Sequence, residues 1–231
     1  MNYLVTGTDT GVGKTFVTTG IIRSARMLRI DCVGMKPICT GDNRDVLEIA
    51  AACNGAEPEY LLNPIWYRTP VAPYTAALIE NRFIDLSAIR SAFETLSRRH
   101  SPILVEGVGG IAVPIQADYD FRDLAKDLNL EVIVVAPNRL GVLNHTRLTV
   151  AAIHSAGLSC SLVLLNSAVA ETDISQSTNL SVLENLLEVP IIGIERDQNE
   201  FEDIIRKLDW KVPDAESSSL RRIWHPAKRT F

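Results

Sequence analysis

Residues 2–16 read NYLVTGTDTGVGKTF: a short apolar strand at Tyr3-Leu4-Val5, a glycine-rich loop from Gly7 to Thr15, then a segment of helical periodicity. Strand, loop and helix in that order suit a phosphate. Successive backbone N–H groups point at the anion and the helix N-terminus adds its partial positive charge. Gly11 and Gly13 let the backbone turn tightly and approach closely. Lys14 is expected to reach the β- and γ-phosphates, and the Thr15 hydroxyl to ligate Mg²⁺. The spacing G-x-x-x-x-G-K-[ST] asks for glycine at position 8, where this chain has Thr8, with Gly7 one residue earlier. A glycine-rich helix start with an exposed lysine is the alternative. The strand before the loop and the helix after it favour a nucleoside triphosphate site.

The chain of 231 residues is long enough for one α/β domain with a full core, expected over residues 1–211. Its 23 Lys and Arg against 28 Asp and Glu give a formal charge of −5, which implies no general attraction to nucleic acid or an anionic lipid surface. There is no basic-then-apolar leader and no run of about 18 apolar residues, so a cytoplasmic location is expected. Cys32, Cys39, Cys53 and Cys160 form no C-x-x-C pair and have no histidine at zinc-site spacing, so reduced core thiols are expected.

Strand-like runs at 3–6, 32–36, 102–106, 131–136, 160–165 and 190–194 alternate with helical patterns at about 15–29, 44–53, 86–99, 121–128, 143–157 and 178–188. Val132-Ile133-Val134-Val135 and Leu162-Val163-Leu164-Leu165 are apolar without alternation, as in strands covered on both faces. The fold class is therefore α/β, a doubly wound, mainly parallel sheet of the P-loop NTPase kind. Ligands bind such sheets beyond the carboxyl ends of the strands, which directs attention to the polar residues there.

After the second strand, Pro37 keeps Lys36 extended, so its ammonium projects toward the phosphate loop or, alternatively, into solvent. Thr40-Gly41 ends a tight turn. Asp45 opens the next helix, as a first-turn or cap residue or as a metal ligand. The stretch Ile103-Leu104-Val105-Glu106-Gly107-Val108-Gly109-Gly110 is an apolar strand ending in one acid and then glycines. Glu106 fits the second Mg²⁺ carboxylate of a phosphate-loop enzyme or the cap of a backbone turn. Gly141-Val142-Leu143-Asn144 begins a helix, for which Asn144 on its own reads as the N-cap.

Taken together, GTDTGVGKT at 7–15, KPICTG at 36–41, EGVGG at 106–110, LGVLNHTRLT at 140–149 and a strand ending at Asn166 resemble the dethiobiotin synthetase family, in its order and spacing, to about residue 200. The resemblance implies a homodimeric, ATP- and Mg²⁺-dependent ligase. It closes the ureido ring of 7,8-diaminononanoate with CO₂ through a carbamate and its mixed anhydride with phosphate. By the same resemblance, Lys36, Lys14 and Thr10 are the catalytic groups, and Thr15, Asp45 and Glu106 hold Mg²⁺. Gly11, Val12, Gly13, Lys14, Thr15, Phe16, Asp45, Glu106, Gly107, Val108, Gly109 and Asn166 bind ATP, Asn166 at the adenine edge. Thr40, Gly141, Val142, Leu143 and Asn144 meet the substrate, the last four receiving its carboxylate across the dimer. Lys36 would lie closest to the carbamate.

The chain departs from the family in places. Ala72-Pro73-Tyr74 stands where members tend to read APH, and Glu195-Arg196-Asp197 replaces an I-P segment near the adenine. Residues 212–231 form a basic tail in which Leu220-Arg221-Arg222-Ile223-Trp224-His225-Pro226 resembles the start of diaminononanoate aminotransferase. Two rival classes share the phosphate loop. ATPase switches of the MinD/ParA kind, which act through a protein partner, read K-G-G-x-G-K-[ST], and their first lysine falls at Asp9 here. Amidotransferase-type ligases of the cobyrinic acid group carry a Cys-His glutaminase module for which this chain shows no motif.

Overall fold

The computed structural model describes residues 1–168 and 173–213. In chain order, the first half carries β1 (Tyr3–Gly7), α1 (Lys14–Met27), β2 (Val33–Met35), β3 (Ile38–Thr40), α2 (Arg44–Ala52), α3 (Glu59–Leu62), β4 (Ile65–Tyr67), α4 (Pro73–Ile79) and α5 (Leu86–Ser97). The second half carries β5 (Ile103–Gly110), β6 (Pro114–Gln116), β7 (Tyr119–Asp120), α6 (Phe121–Asp127), β8 (Glu131–Pro137), α7 (Val142–Ser155), β9 (Cys160–Asn166), α8 (Gln176–Leu186), β10 (Ile191–Ile194) and α9 (Glu202–Lys207).

Six strands form one sheet in the order β10-β9-β8-β1-β5-β2, every neighbouring pair parallel. These are the six strands expected from the apolar runs. All five residues of β1 are buried, because helices cover both faces. The chain passes from β5 on one side of β1 to β8 on the other, so the carboxyl end of β1 is the topological switch point where a ligand crevice opens. Parallel register sets Val5 opposite Glu106 and Gly7 opposite Gly110, which brings the expected acid beside the start of the phosphate loop.

The sequence reading of Thr40-Gly41 as the end of a turn is corrected here. Residues 38–40 are a strand, β3, paired in parallel with β4 as a separate two-stranded sheet. Gly41 follows at φ +85° with its carbonyl accepting from the Trp66 indole at 2.9 Å. Helix boundaries at the chain's second half shift by one or two residues from those expected. The basic tail, from residue 214 on, lies outside the described residues. All four cysteines are buried and free.

Helix α9 is fastened to α1 by a close contact. Phe201 N–H donates to Ser24 Oγ at 3.0 Å, and the Phe201 ring meets Phe16 edge-on with centroids 5.8 Å apart. A Cβ added at Gly20 would come within 2.3 Å of the Phe201 ring. Gly20→Ala must therefore displace the ring, at about 1–3 kcal/mol. We expect the melting temperature to fall by several degrees, read by calorimetry; an unchanged value would mean that the ring yields without cost.

Candidate active site

The phosphate loop rises from β1, with Thr8 N–H held by the Val135 carbonyl at 3.0 Å. Gly13 is the N-cap of α1 at φ +89° and ψ 28°, with no side-chain cap, so the first amides of the helix face the crevice with no intrahelical partner. A Cβ at Gly7 would lie 2.6 Å from the Asp9 carbonyl and 2.8 Å from the Val12 side chain, so only glycine fits where the loop folds back on its strand. These features form a cradle for an anion.

Around it lies a cleft of about 580 Å³, lined by residues of the loop, of β3, of residues 70–72 and of the β5–β6 connection. Of the sequence-expected residues, Thr10, Gly11, Gly13, Lys14, Thr15, Phe16, Lys36, Thr40, Asp45, Val108 and Gly109 line this one space. Glu106 lies just beneath, fully buried. Its Oε1 accepts from Lys36 Nζ at 2.7 Å and from Thr15 Oγ1 at 2.8 Å. Lys36 Nζ also donates to Asp45 Oδ2 at 2.8 Å and reaches the Gly107 carbonyl at 3.4 Å. The ammonium that was expected to project toward the loop is seated between two carboxylates. Burial alone would lower the Lys36 pKa, but the Glu106 and Asp45 charges outweigh it and hold the group well above the ordinary lysine range. Burial would raise Asp45, and Lys36 reverses this, leaving its carboxyl below the usual range.

A divalent cation fits this arrangement. Glu106 Oε2 is buried without any hydrogen-bond partner, which is costly unless another group completes it. Thr15 and Asp45 supply two further oxygens. Among the described residues no cluster of three or more His, Cys, Asp or Glu side chains offers an all-protein cage. That accords with Mg²⁺, which keeps waters and phosphate oxygens in its shell. The residues that would hold it are Thr15, Asp45 and Glu106.

Lys14 stands near this cluster, 7% exposed, with Nζ 3.3 Å from the Asp9 carbonyl. Burial first, and the neighbouring Lys36 charge second, lower its pKa to about 8. Triphosphate would bind the protonated form preferentially. Nucleotide affinity is therefore expected to be flat below about pH 8 and to fall by up to about tenfold per pH unit above it; calorimetric titration across pH 7–9.5 reads this, and a flat profile would remove Lys14 from the phosphates.

Other expected residues sit elsewhere. Val12 is buried, and its carbonyl accepts from Asn166 Nδ2 at 2.9 Å. Asn166 is itself fully buried, and its Oδ1 accepts from Ala168 N–H at 3.0 Å, so here it ties β9 to the phosphate loop. Gly107 takes part through its carbonyl. Gly141 to Asn144 lie away from the cleft of their own chain. Gly141, at φ +92°, is the N-cap of α7, so Asn144 is not the cap expected from the sequence but an exposed residue inside the first turn. His145 is exposed as well.

Of the far wall the sequence reading reached Ala72, in the departing Ala72-Pro73-Tyr74 segment, and missed Pro70, Val71, Val113 and Cys39. The wall is positioned from a distance. Glu80 accepts from Thr69 N–H at 2.8 Å and from Thr69 Oγ1 at 2.9 Å, and a Cβ at Gly41 would meet Pro70 Cβ at 2.9 Å. Cys39, its pKa raised to about 11 by burial, is an inert thiol there.

Three comparisons place this geometry among known proteins. A family model described as an AAA domain matches residues 1–195. The chain is 41% identical over 196 residues to ATP-dependent dethiobiotin synthetase BioD of Akkermansia muciniphila, covering 83% of this chain and 90% of that protein. It is 34% identical over 212 residues to the protein of that name from Methanocaldococcus jannaschii, covering 88% and 98%. Among solved structures, the septum site-determining protein MinD with Mg-ADP from Pyrococcus horikoshii aligns with a TM-score of 0.51 at 17% identity, covering 90% of this chain and 86% of that one. A putative plasmid partition protein from Borrelia burgdorferi bound to AMPPNP gives 0.50 at 12% identity, covering 90% and 97%. At such identities the structural likeness speaks for the P-loop NTPase fold alone, whereas the sequence relatives, aligned over most of their length, decide the family: this chain belongs to the dethiobiotin synthetases.

Proposed function

We propose that the chain catalyses the ATP- and Mg²⁺-dependent carboxylation and ring closure of 7,8-diaminononanoate to dethiobiotin in biotin biosynthesis, acting over residues 1–211. One amine of the diamine adds to CO₂ and loses a proton, giving a carbamate. A carbamate oxygen attacks the γ-phosphorus and ADP leaves. The second amine then attacks the carbonyl carbon of the mixed anhydride, phosphate leaves and a proton passes to solvent.

The observation that carries this reading is Lys36. A nucleotide-hydrolysing switch needs the phosphate-loop lysine, whereas this cleft holds a second lysine from the end of β2, with its ammonium between Asp45 and Glu106. Carbamate and triphosphate are both anions, and their approach requires cations between them. Mg²⁺ held by Thr15, Asp45 and Glu106 would neutralise charge on the phosphates. Lys14 would bind the β- and γ-phosphates, Thr10 and Thr40 the carbamate or amine end, and Asn166 the adenine after exchanging its present partners. The apolar wall of Pro70, Val71, Ala72 and Val113 suits an aliphatic chain. Gly141 to Asn144 present helix-start amides without a side-chain cap, and Leu140 beside them is 82% exposed, which supports a homodimer in which they receive the carboxylate in the partner's cleft.

The partitioning-switch alternative has no comparable support. Asp9, where those proteins carry their signature lysine, pairs instead with Arg139 of the same chain, at 3.9 Å. No helix among the described residues is long and apolar enough to cross a membrane.

The test is phosphate release from ATP with Mg²⁺ and bicarbonate, with and without the diamine, the product identified by mass. Strict dependence on the diamine with one dethiobiotin per phosphate is expected. Hydrolysis indifferent to the diamine would discard the ligase.

A further inference from the structure

Three groups assigned above to the divalent ion converge on one place, and a protein cation already stands there. Glu106 Oε1 is shared between Thr15 Oγ1 at 2.8 Å and Lys36 Nζ at 2.7 Å, while Asp45 Oδ2 takes the same Nζ at 2.8 Å. An ammonium has three N–H donors. Two are given to the carboxylates and the third faces the Gly107 carbonyl. Lys36 is thus the counter-ion of a carboxylate pair of which one member, Glu106, is fully buried and the other half-exposed.

A metal held by Asp45 and Glu106 together must stand between the two carboxylates, where the ammonium now bridges Asp45 Oδ2 and Glu106 Oε1. Mg²⁺ requires oxygen ligands at about 2.0–2.1 Å. An ammonium 2.7 Å from the Glu106 carboxylate, and 2.8 Å from that of Asp45, would crowd and repel it there. The two cations exclude one another. The displaced ammonium stays within reach of the cleft, which Lys36 itself lines together with Thr10 and Thr40.

We infer that Lys36 is an internal placeholder for the divalent ion: its ammonium holds the Asp45–Glu106 pair until metal takes those oxygens, and its displacement delivers it into the cleft where the reacting anions meet. The exchange rests on the residue roles proposed above. It gives a carboxylate with 0% exposure a cationic partner when no metal is bound, and explains why the lysine comes from the end of a neighbouring strand rather than from the phosphate loop. It also makes metal loading and the arming of Lys36 a single event, so that a nucleotide arriving without its metal finds the lysine still engaged.

The experiment is direct Mn²⁺ binding to the nucleotide-free full chain, read by loss of the free-ion EPR signal, together with thermal melts at increasing Mn²⁺. Lys36→Met removes the competitor without adding a ligand. It is expected to bind one Mn²⁺ at least about tenfold more tightly than the unmodified chain and to gain more melting temperature from it. The double variant Lys36→Met, Glu106→Gln should lose that gain. If Lys36→Met is unfolded without metal, recovery of its circular dichroism on adding Mn²⁺ supports the exchange equally, and Lys36→Gln serves for the affinity. Equal affinity in the unmodified chain and the Lys36 variants overturns the inference, as does a gain that survives Glu106→Gln or an unfolded variant that Mn²⁺ does not rescue. Neither diamine nor turnover enters the measurement. Its failure leaves the ligase reading standing, and failure to make dethiobiotin leaves the exchange standing.

Discussion

Lys36→Ala is expected to lower kcat for dethiobiotin formation by on the order of 10²–10³-fold, the cost of removing one preorganised electrostatic group from a dry site, while ATP affinity does not fall. The asymmetry follows from position. Lys36 belongs to β2's end and touches Asp45 and Glu106, whereas the triphosphate cradle is built from the α1 amides and Lys14. Loss of the ammonium therefore removes a cation from the carbamate side and leaves the phosphate side intact. A stability cost accompanies it. Glu106, fully buried, keeps its Thr15 hydrogen bond but loses its ion-pair partner, and an uncompensated buried carboxylate costs about 3–5 kcal/mol. Against a typical total of about 5–15 kcal/mol the variant is foldable but weakened, so kinetics are to be run well below its melting temperature. Single-turnover kinetics and equilibrium nucleotide binding separate the two effects. If ATP affinity falls as far as turnover, Lys36 acts on the phosphates and its assignment to the carbamate is wrong.

What the sequence disclosed, and what it hid, divides along the range of the interactions responsible. The sheet strands were visible because a strand covered on both faces carries an unbroken apolar run, as residues 3–5 of β1, 103–105 of β5, 132–136 of β8 and 162–165 of β9 do. Glu106 and Lys36 were visible because a parallel sheet presents its functional groups at strand ends. β3 was read as a turn since three residues after a proline carry no period of their own. Its strand geometry comes from pairing with Ile65–Tyr67, a partner brought in by α2 and α3. The cleft wall at Pro70 and Val71 was hidden for the same reason: Glu80 fixes Thr69 through hydrogen bonds, and Gly41 admits Pro70 by having no Cβ. Asn144 misled because asparagine is a good N-cap in isolation, whereas Gly141 reaches φ +92° and takes that place three residues earlier. Asn166 was read for its amide's ability to meet a base. Nothing local signals that the amide already spans from β9 to Val12.

Lys14→Met should give the opposite result to Lys36→Ala on both axes: ATP affinity falling by at least about 10²-fold, the scale of losing a charge-assisted contact with an anion in a desolvated cradle, and an empty protein more stable at pH 7 than the unmodified one. The stability claim follows from the sign of the shift. Lys14 titrates at about 8 in the folded chain, lowered by burial and by Lys36, against about 10.4 when unfolded. Between those values the unfolded chain binds the extra proton, so stability rises as pH climbs through the window, and the full penalty applies below about pH 8. Methionine carries no charge and escapes it. The excess in melting temperature of the variant should accordingly be largest near pH 7 and should shrink toward pH 10, as calorimetry over pH 6.5–10 would read; parallel curves would mean that Lys14 bears no desolvation penalty. The penalty has a use. A lysine kept charged at neutral pH beside another lysine, in a cradle whose helix amides are unpaired, is relieved only when an anion arrives. The strain of the empty site is thus recovered as affinity for triphosphate, and stability lost in the empty protein becomes selectivity for the occupied one.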